Sequence, residues 1–253
     1  MKHRINIFIY VSLITLTAFF LSETAYFIPL LILETLLFIV ILTLGVLFLR
    51  FNYFLPSIIH YKPTECLLTF DDGPHPELTP KILDILAKNK VKAIFFIIGE
   101  KAEKNPEIVE RILKEGHLVG NHSYSHNKFL AMYPTTALIE DLEKCQVILK
   151  QITGEENKIF RAPIGYTNPN FARALKVLNL HSIGWNLRSY DTLSKGKEAL
   201  IHRLVQHTKK GSIVLLHDNL PQTEEALEEY ITQARRNGIL FASGDLKNNL
   251  KYD

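Results

Sequence analysis

The chain has 253 residues with 29 Lys or Arg against 26 Asp or Glu, a formal charge of +3 with histidine neutral. Setting residues 1–60 aside leaves 26 basic and 24 acidic side chains, which is too even a balance for the basic face that nucleic-acid binding requires. Two cysteines, Cys66 and Cys145, make no secreted disulfide framework, and both sit in apolar runs as small buried side chains.

The N-terminal segment, residues 1–60, carries two long apolar runs, over about 5–21 and 26–49, separated by Ser22-Glu23-Thr24. A bilayer core takes roughly 20 apolar residues as helix. Lys2 and Arg4 precede the first run, as they would in a cleaved signal peptide. Its Thr17-Ala18-Phe19-Phe20-Leu21 end lacks a small-x-small cleavage pattern, however, and a second run follows at once. A two-helix transmembrane hairpin is the expectation, which makes the chain a multi-pass membrane protein. Glu34 falls inside the second run; it is either a functional intramembrane acid or a side chain that snorkels to the interface. Lys2, Arg4, Arg50 and Lys62 flank the runs while the loop between has only Glu23. The positive-inside rule then places both ends, and the domain that follows, in the cytoplasm.

Residues 61–253, about 190 in number, suffice for one domain with a full core. Strand-like runs are expected at Cys66–Phe70, Ala93–Ile98, Leu118–Gly120, Ile159–Arg161, His181–Asn186, Ile213–Leu216 and Ile239–Ala242. Helical stretches lie between them. Thr79-Pro80, Asn105-Pro106 and Asn168-Pro169 each put a capping residue before a proline suited to a first helical turn, and Gly116 and Gly154 sit where helices should stop. Alternating strands and helices imply an α/β fold with a parallel sheet, without separating an open sheet from a barrel.

Chemistry-bearing residues collect at or just after the ends of these strands. They are Asp71-Asp72-Gly73-Pro74, His122-Ser123-Tyr124-Ser125-His126, Arg161-Ala162-Pro163-Ile164-Gly165, Tyr190-Asp191 and His217-Asp218. Adjacent side chains leaving a strand point in opposite directions, so Asp71 and Asp72 are able to do different jobs. His122 and His126, four apart, would share one face of a helix or helix-like turn. Together with a carboxylate they form a set that leaves coordination positions open. Taken singly, each segment has an ordinary explanation: a surface turn, a chance histidine pair, a rigid Arg-x-Pro loop.

Together and in this order the five segments resemble the polysaccharide deacetylase family, carbohydrate esterase family 4, over roughly residues 64 to 245. The resemblance implies a distorted, incomplete β/α barrel with its site at the carboxyl ends of the strands. It implies Asp72, His122 and His126 as ligands of a divalent metal, zinc by ligand type, with cobalt, nickel or manganese as alternatives. Asp71 becomes the catalytic base and Arg161 its partner, while His217 is the general acid and Asp191 the carboxylate that orients it. Ile164, where relatives usually carry an aromatic residue, supplies a backbone N–H to the oxyanion, and Tyr166 is a candidate for the missing ring. Thr192 replaces the tryptophan that often follows the aspartate of the fourth segment. Trp185 is expected in the core on a strand, with the sugar site as the alternative; His75 and His117 are expected to be structural. Arg188 is a candidate contact for an anionic substrate.

The implied activity is hydrolysis of the N-acyl group of an amino sugar. The cytoplasmic orientation favours a lipid-linked precursor and the opposite orientation a cell-wall polysaccharide. An O-acetyl esterase, or a non-catalytic membrane-bound scaffold retaining the fold, are the competing expectations.

Overall fold

A computed structural model describes residues 2–250. Two helices open the chain, α1 (Lys2–Leu21) and α2 (Phe27–Leu47). Both are long and apolar enough to cross a membrane, and only 6% of each is buried. They pack as an antiparallel pair: Tyr10 stacks on Phe38 at 4.4 Å between centroids, and its hydroxyl lies 3.0 Å from Thr35 Oγ1. Thr17 Oγ1 donates to Glu34 Oε1 at 2.7 Å. Glu34 therefore does not snorkel outward; it faces the partner helix, where a hydroxyl satisfies one of its oxygens.

The remaining elements follow in chain order. They are β1 (Ser57–Ile58), β2 (Glu65–Gly73), α3 (Leu78–Lys88), β3 (Ala93–Ile97), α4 (Gly99–Lys104), α5 (Pro106–Lys114), β4 (Leu118–Asn121), α6 (Thr135–Thr153), β5 (Ile159–Phe160), α7 (Pro169–Val177), β6 (His181–Ile183), β7 (Leu187–Arg188), α8 (Lys197–His207), β8 (Ile213–His217), α9 (Pro221–Arg236), β9 (Leu240–Phe241) and α10 (Leu246–Asn249). All strand pairs are parallel, in the order β1-β6-β5-β4-β3-β2-β8-β7, with β9 added beside the start of β2. The result is a curled parallel sheet wrapped by helices, an incomplete β/α barrel. Along β2, Cys66, Leu68 and Phe70 pack outward against the helices while Leu67 packs inward with Ile94, Phe96, Ile159 and Ile213. That period of two carries Thr69 and Asp71 inward as well. Both cysteines are free and buried.

Several local expectations are corrected. The run His181–Asn186 is not one strand: β6 ends at Ile183, and Gly184-Trp185-Asn186 crosses from one edge of the sheet to the other before β7. Gly184 N–H bonds to Ile58 O and Asn186 N–H to Ile213 O, so these three residues bridge the gap between the sheet edges. β1, unforeseen in the sequence, pairs with β6. Thr79 is not a cap, since α3 already starts at Leu78 and the His75 imidazole accepts from the backbone N–H of Glu77 and Leu78 instead. Asn105 precedes α5 but turns its side chain back to Lys101 O. Asn168 does cap α7, accepting from Asn170 and Phe171 N–H, and Gly154 closes α6 in the left-handed region at φ +71°.

The end of the helical pair is seated on the barrel. Thr167 N–H bonds to Val46 O at 3.3 Å, and Leu49, 6% exposed, rests against Gly184 so closely that a Cβ there would come within 2.6 Å of it. His3 N–H bonds to Tyr53 O. The contact falls on the face where the strands end.

Candidate functional site

The inward row of β2 ends at Asp71, 4% exposed. Its Oδ1 receives Arg161 Nη1 at 2.7 Å, and the same nitrogen bonds to Thr69 Oγ1 at 2.7 Å. Arg161 is wholly buried, with Nε on Ile183 O and Nη2 on Gly184 O, and its guanidinium lies 4.1 Å from the Phe96 ring centre. A charge so enclosed is tolerated only when its donors are satisfied. Burial pulls the guanidinium below its ordinary pKa, and Asp71 opposes that. The pair fixes one oxygen of Asp71 and leaves Oδ2 facing the histidines, 3.8 Å from His122 Nε2.

Asp72 would point outward by strand alternation, but its φ of +71° turns it back toward the barrel mouth. Lys101 Nζ holds its carbonyl at 2.6 Å. Its Oδ1 stands 3.1 Å from His126 Nε2 and 3.5 Å from His122 Nε2, and ligand atoms of all three residues fall within 4.8 Å of one another. His122 Nδ1 lies 2.9 Å from Arg161 O, a carbonyl, so it is the donor there and Nε2 offers a lone pair inward. Burial raises the Asp72 carboxyl, but hydrogen bonding and charge from His122 and His126 outweigh it and hold the group well below the usual carboxylate range. One carboxylate and two imidazoles converging from fixed positions fit a divalent cation.

The two histidines reach this point from a loop, not from one face of a helix. Residues Ser123 and His126 both have positive φ, +68° and +46°. Asp141 on α6 receives the N–H groups of Tyr124 and Ser125, Asn121 Oδ1 receives Ser123 N–H, and Ser123 Oγ receives His126 N–H. Of the eight non-glycine residues with positive φ among those described, Asp72, Ser123, His126, Ile164 and Tyr190 belong to the site's loops, which is where strained backbone concentrates in functional sites.

Opposite the triad, β8 ends at His217, directly beside Asp71 in the register. Asp191, fully buried, accepts His217 Nδ1 at 2.8 Å on Oδ1, and His217 N–H and Thr223 Oγ1 on Oδ2. Burial pulls the imidazole down, but Asp191, aided by Asp71 and Asp72, pushes its pKa up to about 9. The same contact holds Asp191 below its ordinary value against the effect of burial. His217 is thus protonated at neutral pH and presents Nε2–H.

Asp71, Asp72, His122, His126 and His217 line a cleft of about 130 Å³ together with Ile164, Gly165, Trp185 and Arg188. The ring at the floor belongs to Trp185, whose edge sits where a Cβ on Gly165 would lie, 2.4 Å away. Tyr166 is outside the lining and 37% exposed. Ile164 is 44% exposed, with its backbone at φ +62°. His117 lies at the other end of the barrel, where burial, Lys92 and Arg111 lower its pKa to about 3 and Nδ1 accepts Ala93 N–H. Sequence reasoning assigned no role to Asp141, Thr69, Thr223 or the buried Asp218. Asp218 accepts from Thr79 Oγ1 at 2.6 Å and fills the space a side chain on Gly73 would need. Only Asp218 carried a signal, being adjacent to His217.

Residues 60–183 match the family described as polysaccharide deacetylase. The chain is 35% identical over 187 residues to a Bacillus cereus peptidoglycan-N-acetylglucosamine deacetylase, covering 72% of this chain and 68% of that protein. It is 30% identical over 188 residues to the Bacillus subtilis peptidoglycan-N-acetylmuramic acid deacetylase PdaA, covering 73% and 71%. Among solved structures, the Bc1960 peptidoglycan N-acetylglucosamine deacetylase superposes with a TM-score of 0.69 at 34% identity, covering 74% of this chain and 89% of that one. A Bacillus anthracis protein described as a family 4 pseudoenzyme, BA3943, superposes equally well, at 0.69 and 26% identity, covering 74% and 66%. Deacetylases of this family are metal-dependent, and this chain has a possible three-residue metal site. By sequence, by its curled parallel sheet and by the residues gathered at the strand ends, the chain belongs to the polysaccharide deacetylase family, carbohydrate esterase family 4.

Proposed function

We propose that this protein is a membrane-held, metal-dependent deacetylase that hydrolyses the N-acetyl group of an amino sugar. The observation that carries it is one cleft holding the Asp72–His122–His126 triad, the Arg161-bound Asp71 and the Asp191-bound His217. A pseudoenzyme is also a structural neighbour, so the fold alone does not decide activity; the complete set of groups supports it.

Asp72, His122 and His126 would hold a divalent cation, zinc by its mixed nitrogen and carboxylate donors. Such a cation supplies Lewis acidity to water and to an acyl oxygen. The chain does the rest. Asp71, with one oxygen fixed by Arg161, accepts a proton from the attacking water on its free oxygen. The Ile164–Gly165 turn closes the floor on which the acetyl group rests, and the Ile164 N–H is the proposed oxyanion donor. His217, kept protonated by Asp191, delivers a proton to the departing sugar nitrogen. The products are acetate and a free amine.

Relatives named for peptidoglycan sugars support a cell-wall polysaccharide as substrate. The basic residues flanking the apolar runs favour instead a cytoplasmic domain and a lipid-linked precursor. The activity is tested on the full-length, zinc-loaded protein by acetate release from N-acetylated wall fragments and chitooligosaccharides. Turnover no faster than that of Asp71→Asn would sink the proposal. Protease accessibility of a C-terminal tag in cells with the outer surface opened decides the side: protection until lysis indicates the precursor, cleavage before lysis the wall polymer.

A further inference from the structure

The cleft has one charged lining residue that the reaction does not use. Arg188, at the end of β7, lines the same cleft as the triad and His217. The nearby carboxylates are already committed, Asp71 to Arg161 and Asp191 to His217. Among the described residues no acid pairs with Arg188, and its guanidinium meets only the face of Tyr190, 5.5 Å from the ring centre. A second guanidinium, that of Arg203 on α8, lies over the same ring at 4.5 Å. Its Nε and Nη2 donate to the Arg188 carbonyl at 3.2 and 3.0 Å. Among the described residues Arg203 has no acid partner either, whereas Arg111 and Arg161 are each paired with carboxylates.

Two partly buried cations packed around one aromatic ring repel each other, and among the described residues no carboxylate pairs with either of them. The ring stabilises each by cation–π attraction, but that does not remove the like-charge cost. An incoming anion does. Arg188 also has the geometry for it, since a planar guanidinium pairs with a phosphate or carboxylate through two parallel hydrogen bonds. Arg203 braces the strand by its carbonyl and adds to the positive field at the mouth.

We infer that Arg188, supported by Arg203, is an anion subsite beside the reacting acetamido group, so that the substrate is an N-acetylated amino sugar bearing a phosphate or a carboxylate. This rests on the deacetylase reading above and narrows its substrate. A phosphate would come from a lipid-linked sugar and a carboxylate from a muramic residue of the wall.

The test is calorimetric titration of the full-length, zinc-loaded protein in detergent with three probes: N-acetylglucosamine 1-phosphate, N-acetylmuramic acid and uncharged N-acetylglucosamine. At least one anionic probe should bind about tenfold more tightly than the neutral one, and added salt should shrink that ratio. Arg188→Ala and the longer, polar Arg188→Gln should bring the ratio close to one, while Arg188→Lys keeps part of it. Preference for the phosphate probe points to a lipid-borne substrate, and preference for the muramic probe to a wall sugar. Equal wild-type binding of all three, or a ratio unchanged in both Arg188→Ala and Arg188→Gln with folding verified by thermal unfolding, overturns the inference. Selective binding without turnover of any N-acetylated sugar would leave the subsite standing and sink the deacetylase reading.

Discussion

Replacing Asp191 with asparagine should change how the rate depends on pH more than it changes the rate at any one acidic pH. Both oxygens of Asp191 accept two hydrogen bonds, from His217 Nδ1 and Thr192 N–H on one side and from His217 N–H and Thr223 Oγ1 on the other. An amide has only one acceptor atom, so either orientation turns an NH₂ toward donors. With the carboxylate gone, burial and the absent partner both lower the His217 pKa from about 9 toward or below its ordinary 6.5. A displacement of that size is worth about 3 kcal/mol of differential stabilisation of the imidazolium. The protonated fraction at about pH 8 then falls from about 0.9 to about 0.03, roughly thirtyfold, while at about pH 6 the two proteins differ little on this account. The assay is kcat against pH for acetate release by the two zinc-loaded proteins, with zinc content measured in each. An alkaline limb of Asp191→Asn that runs parallel to the wild type would refute the reasoning. The same pKa has a stability signature. A histidine whose folded pKa is raised contributes stability fully present below 6.5 and lost as pH rises through about 9. The wild-type unfolding free energy should therefore decline across that window, and Asp191→Asn should flatten the decline.

Other expectations concern the frame of the site. Asp72→Asn and His122→Ala should each weaken zinc binding by at least about a hundredfold in competition with a chelator, since each removes a ligand from a set of three. Gly73→Ala places a Cβ 2.1 Å from Asp218 Oδ2; relieving the overlap should cost about 1–3 kcal/mol, seen as a fall of roughly 2–10 °C in Tm. Arg161→Ala leaves a buried Asp71 unpaired and should lower the unfolding free energy by about 3–5 kcal/mol, measured in urea, whereas Asp71→Asn, which keeps an acceptor for Arg161, should cost less. Unfolding midpoints indistinguishable from wild type would contradict either claim.

Alternation along a strand made Asp71 and Asp72 readable as neighbours with different jobs, and the five segments ending strands were readable because catalytic groups of such a sheet must leave from its carboxyl ends. What stayed hidden depends on distances across the sheet. Asp141 lies in an ordinary amphipathic helix, and only the fold brings it under the Tyr124–Ser125 backbone. Thr223 and Thr79 look like any helix-start threonine until the carboxylates of Asp191 and Asp218 arrive beside them. The spacing of His122 and His126 suggested one face of a helix or helix-like turn, yet backbone N–H bonds to the side chains of Asn121, Ser123 and Asp141 shape a tight loop that local propensity does not encode. The break after Ile183 was masked by the β-rich run on both sides, because nothing in His181–Asn186 shows that its two halves pair at opposite edges.

The seating of α2 on the barrel has a consequence for where the enzyme works. Val46 and Leu49 touch the Thr167 loop and Gly184, so the proposed membrane anchor joins the domain on the rim of its own cleft, with no flexible spacer between. A protein fixed in this way has almost no reach. It would sample only sugars within a thin shell at the bilayer surface, and its turnover would follow the surface density of substrate in that shell rather than its bulk concentration. Diluting a lipid-borne substrate with inert lipid at constant total amount should then slow it, although nothing in solution has changed.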